Sequence, residues 1–429
     1  MAVNRGDLVH AVRACVADGR VTAAEWDELV APVIEGSPLV PSPESRYVLS
    51  LWSSQYEIDP DARDRMNAFL WNRGYRVWPE RPAGMASRDI YRDIIGENVG
   101  EKDQVFDRYV GQVGAEGRRT LTCIAGVGTD LFHPELGRKG WVNPGETPSN
   151  GVDDDGNGLV DDSNGWDFID NRNDLGNPDG DWHDTHTAGI ASEGTDQTPF
   201  IPTRVRNGDA TNYGQVVAAI EYAISNGARI VNMSWPTTKR DDVNTMRALI
   251  ARHPDVLFVA AAGNSGDSID SADPDTMLQA NPLPNMVDVA ATDEFGNLAG
   301  FSSYGGERVL LAARGANVLS TIPGGKYDVI SGTSMSSPQV VNAAAKMLVL
   351  DPALTPAQLK GMLADTSAQE PGFDGRVGAG GPIQPQQAYG LAALTGLVRS
   401  GLSPEDAANR LELRGDERAR LLVLAPGYA

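Results

Sequence analysis

From about Arg118 onward the chain alternates short apolar runs with glycine-bounded helical segments, and this alternation restricts the possible folds severely. Leu121 to Ala125, Ile230 to Met233, Val256 to Ala262 and Val287 to Ala291 are nearly continuous apolar runs of strand length, the pattern of strands buried on both faces. Between them, Val216 to Asn226 and Val243 to Arg252 carry helical spacing. This order predicts an α/β fold: a doubly wound, mostly parallel sheet with helices on both faces. A helix from about Ser334 to Leu350, another over Thr355 to Asp365 and a last piece near Gln384 to Leu394 close the domain, which runs from residue 118 to 394.

Residues 1–110 have a different texture and predict a separate helical N-terminal domain. Leu8, Val12 and Val16 share a helical face, and Trp26, Leu29, Val30 and Val33 continue it beyond Asp18-Gly19. That break resembles the second half of a calcium-binding helix-loop-helix, but Ala14 and Val16 stand where oxygen ligands belong. It reads as a structural turn. Ser37 to Ser45 is a Pro-rich linker, followed by helical stretches over Glu44 to Tyr56 and Pro60 to Trp71. Residues 395–429 read as a helical appendage whose last helix starts at Pro404.

With 36 basic against 58 acidic residues, the chain carries a net charge of −22, which argues against nucleic acid or an anionic membrane as partner. Cys15 and Cys123 lie far apart in apparently different domains, which fits a reducing compartment. The first residues have no apolar core of signal-peptide length, so the expected location is the cytoplasm, with unconventional export left open.

Three short segments carry chemistry. They are Thr122-Cys123-Ile124-Ala125-Gly126-Val127-Gly128-Thr129-Asp130, with His133-Pro134 after it; His183-Asp184-Thr185-His186-Thr187-Ala188-Gly189-Ile190; and Ser331-Gly332-Thr333-Ser334-Met335-Ser336-Ser337-Pro338. Their content and order resemble the Asp, His and Ser elements of subtilisin-like serine proteases. The resemblance covers residues 118–394 and implies the subtilisin type of doubly wound sheet.

By that resemblance Ser334 is the nucleophile. It opens a helix whose dipole favours negative charge there, behind Gly332 and with Pro338 in the first turn. His183 is the general base; a metal site with His186 is the rival reading, although the resemblance makes His186 a structural partner. Asn264, in Val259-Ala260-Ala261-Ala262-Gly263-Asn264-Ser265-Gly266, matches the oxyanion element, where its amide and the Ser334 N–H would donate.

The third member departs from pattern. The family's register, with the His-Pro pair beginning seven residues later, puts Gly126 on the catalytic Asp, while Asp184 fills the Gly slot of His-Gly-Thr-His. An Asp and a Gly have changed places. Three arrangements remain open: Asp184 orients His183 from the space Gly126 leaves, water alone completes a dyad, or Asp130 or Asp181 serves. Side chains at consecutive helical positions diverge by about 100°, so the first requires Asp184 to bend back.

Asp153-Asp154-Asp155-Gly156-Asn157-Gly158 followed by Asp161 and Asp162 gives an oxygen-rich turn, with Asp153, Asp155, Asn157 and Asp161 as candidate ligands for structural calcium. Position twelve is Asn164, not a bidentate Glu, and a solvated acidic turn is the alternative. The resemblance also assigns a substrate cleft. Ser234-Trp235-Pro236-Thr237 stands where the family pairs with substrate backbone, and Ala261 and Gly263 line a fairly open apolar pocket. Pro236 removes a donor and Trp235 adds bulk. The implied function is endopeptidase cleavage of protein or peptide substrates, for limited regulatory proteolysis, with a regulatory partner on the N-terminal domain. The alternative is a pseudoprotease that binds peptides or partners without cleaving them.

Overall fold

A computed structural model describes residues 20–21, 57–58, 102–175, 181–207, 210–235, 237, 239–280 and 283–429. The helices expected over residues 1–101 and the linker at 37–45 therefore lie outside the described residues, apart from a parallel pairing of Arg20–Val21 with Glu57–Ile58.

The centre is a seven-stranded sheet, all of whose pairings are parallel. In chain order its strands are β1 (Leu121–Gly126), β2 (Trp166–Asp167), β3 (Phe200–Arg204), β4 (Ala228–Met233), β5 (Leu257–Ala261), β6 (Met286–Thr292) and β7 (Leu311–Arg314). The spatial order is β7-β6-β5-β4-β1-β3-β2, which places β1 inside the sheet. An antiparallel hairpin of β8 (Val318–Ile322) and β9 (Lys326–Ile330) follows. The sequence reading lacks β2, β3 and β7. In β3 the obstacle is Pro202, which has no N–H for the ladder and is at home only near a sheet edge. Beyond β3 lies only the two-residue β2.

Period-two alternation sorts the strand residues between two cores. On one face Cys123, Ala125, Ile201, Val231 and Phe258 pack with Val216, Ile220, Met246 and Leu249. The last four come from α3 (Tyr213–Ser225) and α4 (Arg240–Arg252). On the other face Ile124, Ile230, Val259 and Val289 pack with Val340, Val341, Ala344 and Leu348. These belong to α5 (Thr333–Leu350), which lies near α2 (His183–Ala191) and α7 (Pro385–Arg399).

The boundaries of the core are wider than the alternation implies. Helix α1 (Gln104–Val113) starts at Asp103, whose Oδ1 accepts the Phe106 N–H at 3.1 Å and whose Oδ2 meets Lys346 Nζ of α5 at 2.8 Å. Phe106, Tyr109 and Val110 thereby join the α5 core. At the other end α6 (Pro356–Asp365), α8 (Pro404–Arg410) and α9 (Gly415–Leu424) bring Leu359, Ala407 and Leu421 to the same core.

Candidate active site

The carboxyl ends of β1, β4 and β5 open onto one side of the sheet, where open α/β folds place their ligands. Ser334 is the second residue of α5. Its Oγ donates to the Ser234 carbonyl at 3.2 Å, and in return Ser234 Oγ donates to the Ser334 carbonyl at 3.0 Å. Pro338 explains why that carbonyl is available. The residue four positions on, which would normally donate to it, has no N–H. Pro338 is the sixth helical residue, inside the helix rather than in its first turn, so the bond it removes is that of the Ser334 carbonyl.

Asn232 extends this clamp. Its Nδ2 donates to Ser234 Oγ at 2.9 Å, and its Oδ1 accepts from Ser337 Oγ at 2.7 Å. The sequence reading passed over Asn232, although a polar residue in the run Ile230 to Met233 was its signal: a buried amide needs partners. Asn264 is oriented by Thr333, whose N–H and Oγ1 both donate to Asn264 Oδ1 at 2.9 Å. Only the oxygen can accept two donors, so Nδ2 is the end left for a substrate. Gly263, with φ of 114°, makes the turn that brings Asn264 there.

The base side is built on α2, which begins at His183 itself. Asp181 accepts the His183 backbone N–H at 2.9 Å and so caps the helix start. Asp184 is 3% exposed. Its Oδ1 lies 3.1 Å from His183 Nδ1, and its Oδ2 accepts the Gly128 N–H at 3.2 Å. A Cβ placed on Gly126 would come within 2.7 Å of Asp184 Cγ and nearer still to both oxygens. The carboxylate therefore fills the space in front of Gly126. Asp130 is engaged elsewhere, accepting from the Phe132 N–H at 2.9 Å and the Gly324 N–H at 2.8 Å.

His186 is fully buried and its Nε2 bonds the Asp328 carbonyl at 3.1 Å, while burial pushes its imidazole down to about 4. It holds the hairpin to α2, together with Ser320 and Thr321, whose hydroxyls donate to the His186 and Thr185 carbonyls at 2.8 and 2.7 Å. This is a structural engagement, separate from that of His183.

Ser234, Trp235, Ala261, Gly263, Asn264 and Ser334 line one cavity of about 230 Å³. Pro236 lies outside the described residues. Met277, Gln279 and Ser303 add to the wall, and among the described residues no charged side chain takes part. Their positions follow from loop folding, which leaves no periodic trace in sequence.

The acidic turn is distributed differently from the spacing motif. Asp153 accepts the N–H groups of Gly156, Asn157 and Gly158, and Asp161 accepts those of Asn150 and Gly151, so both shape the loop. Asn164 donates to the Trp141 carbonyl. Asp155 instead converges with Glu146 and Asp162, their ligand oxygens within 4.8 Å of one another. Asn143 and Asn157 each donate to both Asp155 and Asp162. Glu146 is 8% exposed, and its Oε2 is buried without a hydrogen-bond partner. The Tyr222 hydroxyl is pushed upward by burial first, then by these carboxylates. Three oxygens of one sign, one orphaned, fit a hard cation. Glu146 escaped the sequence reading because it lies before the motif, whereas Asp162 belongs to the oxygen-rich turn that the sequence marks, beside Asp161, the residue taken as the ligand.

Acyl transfer through a serine is the chemistry this arrangement offers, and its setting on a doubly wound parallel sheet gives the class: the serine hydrolases of α/β type. The profile of the subtilase family matches residues 107–380, and the chain belongs to that family of subtilisin-like serine endopeptidases. It is 36% identical over 198 residues to the thermophilic serine proteinase of Bacillus sp. (strain AK1), covering 42% of this chain and 45% of that one. It is 32% identical over 201 residues to subtilisin DY of Bacillus licheniformis, covering 44% and 72%. Over 400 residues it is 30% identical to subtilisin-like protease 1 of Plasmodium vivax, covering 86% and 62%. The chain thus spans about half of the first relative and under two thirds of the third. Among solved structures, a lanthipeptide protease aligns with a TM-score of 0.53 at 21% identity, over 67% of this chain and 95% of that one. The structure of the subtilase cytotoxin SubAB aligns at 0.55 and 18%, over 70% and 100%. At these identities the likeness is one of fold.

Proposed function

We propose that this protein is a serine endopeptidase whose orienting acid is Asp184, the neighbour of its base. The observation that carries the reading is the 3.1 Å contact between Asp184 Oδ1 and His183 Nδ1, made from the volume that a side chain at position 126 would occupy. A carboxylate only accepts, so Nδ1 keeps the proton and Nε2 presents a lone pair. In the first step Ser334 Oγ turns from the Ser234 carbonyl, gives its proton to His183 Nε2 and attacks the substrate carbonyl carbon. The oxygen that gains charge accepts from Asn264 Nδ2 and the Ser334 N–H. His183, now cationic beside Asp184, passes the proton to the departing amine, and water repeats the sequence on the acyl-enzyme. Asp184→Asn tests the assignment: turnover should fall at least roughly a hundredfold with the fold intact, because the imidazole loses its tautomer control. Near-normal turnover would overturn it. A fluorophosphonate that labels Ser334 no faster than the denatured chain would instead favour a pseudoprotease.

The cavity beside Ser334 lacks charge, which suits an uncharged side chain before the scissile bond. Calcium belongs to this reading as a structural cofactor held by Glu146, Asp155 and Asp162, where it would neutralise their mutual repulsion. Limited, regulatory proteolysis in a reducing cytoplasm is part of the same proposal, with residues 1–101 as the surface for a regulatory partner. Cys123, buried and with its thiol pushed up to about 12 mainly by burial, suits such a compartment because it is unreactive.

A further inference from the structure

At the edge of the sheet opposite Ser334 lies a second cavity, of about 860 Å³. Its wall includes Leu121, the first residue of β1, together with residues that precede β3 and β4, so it sits at the amino ends of the strands whose carboxyl ends form the active site. Four arginines line it: Arg118, Arg119, Arg138 and Arg229. Among the described residues no carboxylate does, in a chain with 58 acidic residues and a net charge of −22.

The four guanidinium groups are not equivalent. Arg118 donates to the Val349 and Leu350 carbonyls at 3.4 and 3.2 Å, and Arg229 to the Leu354 carbonyl at 3.2 Å, so these two are held in place by the end of α5 and the turn after it. Arg119 and Arg138 are exposed and make no hydrogen bond or ion pair among the described residues. Two fixed and two free cations give one concavity an excess of positive charge, which Asp351 beside Arg118 offsets only in part. Trp141 adds an apolar wall between them.

We propose that this cavity is a docking site for a short acidic peptide segment of a partner or substrate protein, separate from the catalytic cleft. The planar fork of arginine takes carboxylates two oxygens at a time, and four forks spread round a cavity of this size suit several carboxylates along a chain. The apolar wall suits one aliphatic side chain among them. A long polyanion is disfavoured, since beyond a Debye length of about 10 Å it would meet the negative field of the rest of the chain. The site stands independently of the catalytic assignment of Asp184.

The test uses the full chain with Ser334→Ala, so that no probe is consumed, and a fluorescein-labelled Glu-Asp-Leu-Asp-Glu pentapeptide followed by anisotropy. Binding should saturate at about 0.1 M salt and disappear at about 1 M, where the Debye length is about 3 Å. The added pair of substitutions Arg119→Gln and Arg138→Gln should weaken it about tenfold, two rim charge contacts being lost. Neither side chain has a structural partner, and an unchanged thermal midpoint would verify that the variant is folded. Absence of binding, equal binding by that variant, or equal binding by the neutral Gln-Asn-Leu-Asn-Gln peptide would each overturn the proposal. Displacement of the peptide by an equal concentration of inorganic phosphate would also overturn it, making the cavity a phosphate site.

Discussion

The two halves of the active site reach their positions by different means. On the nucleophile side, Ser334 is held by a distributed set of bonds through Ser234, Asn232 and Ser337, with Asn264 tied to Thr333. On the base side, one carboxylate, Asp184, occupies one tight space between Gly126 and the Gly128 N–H. A network spreads the effect of a lost member over several bonds, whereas a single side chain in a fitted space does not. The base side should therefore be the more fragile half.

The reciprocal pair Gly126 and Asp184 gives the sharpest test. Gly126→Asp alone should be nearly inactive, because its Cβ already meets the Asp184 carboxyl carbon at 2.7 Å. Adding Asp184→Gly should restore at least roughly tenfold of the lost kcat, out of a possible loss on the order of 10⁴. If the double variant is no better than Gly126→Asp, the two positions do not share one role. On the other side, Asn264→Ala should lower kcat by roughly 10² to 10³ with little change in KM, the usual effect of removing one oxyanion donor. A loss confined to KM would mean that the amide binds substrate without favouring the charged intermediate.

Two stability measurements compare the acidic loop with the helix that carries His183. If calcium is held there as proposed, its chelation should lower the thermal midpoint by about 4 °C, as expected for losing an ion at about a hundred times its Kd from a domain of roughly 300 residues. Glu146→Gln should remove the response; a response that persists would place the ion elsewhere. The smaller effect concerns pH. The imidazole of His186 titrates at about 4 in the fold, below its ordinary 6.5, owing mainly to burial. The unfolded chain therefore binds the proton first as the medium is acidified. The contribution is present above about 6.5 and is lost as pH falls from there towards 4, on the order of 3 kcal/mol in all. Comparing urea midpoints of the wild type and His186→Gln across that window should show a flatter profile for the variant; parallel profiles would count against this account.

The same contrast governs what could be read from the sequence. The octapeptide around Ser334 is legible because its residues act within a few positions of one another, through a tight turn and a helix start. Gly126 and Asp184 were legible as an exchange, and their contact as one of three open arrangements. Their approach depends on α2 starting at His183 itself, at the helix end where side-chain directions are least fixed by the helical repeat. Asp155 followed from spacing and Asp162 stood in the same acidic turn, yet Glu146 left no such trace, since an ion's oxygens are gathered by loop closure rather than by period. Asn232 left a trace, one amide in an apolar run, but its partners Ser234 and Ser337 come from separate elements that only the fold assembles.

The proline inside α5 shows how a defect can act as a joint. A helix whose ladder is complete holds its own first turn and is indifferent to what lies beside it. By leaving the Ser334 carbonyl without its inner donor, Pro338 makes the orientation of that turn the business of the neighbouring strand, through Ser234. The nucleophile is thus registered to the wall of the substrate cavity rather than to the axis of its own helix, and a disturbance of that wall is transmitted to the serine directly.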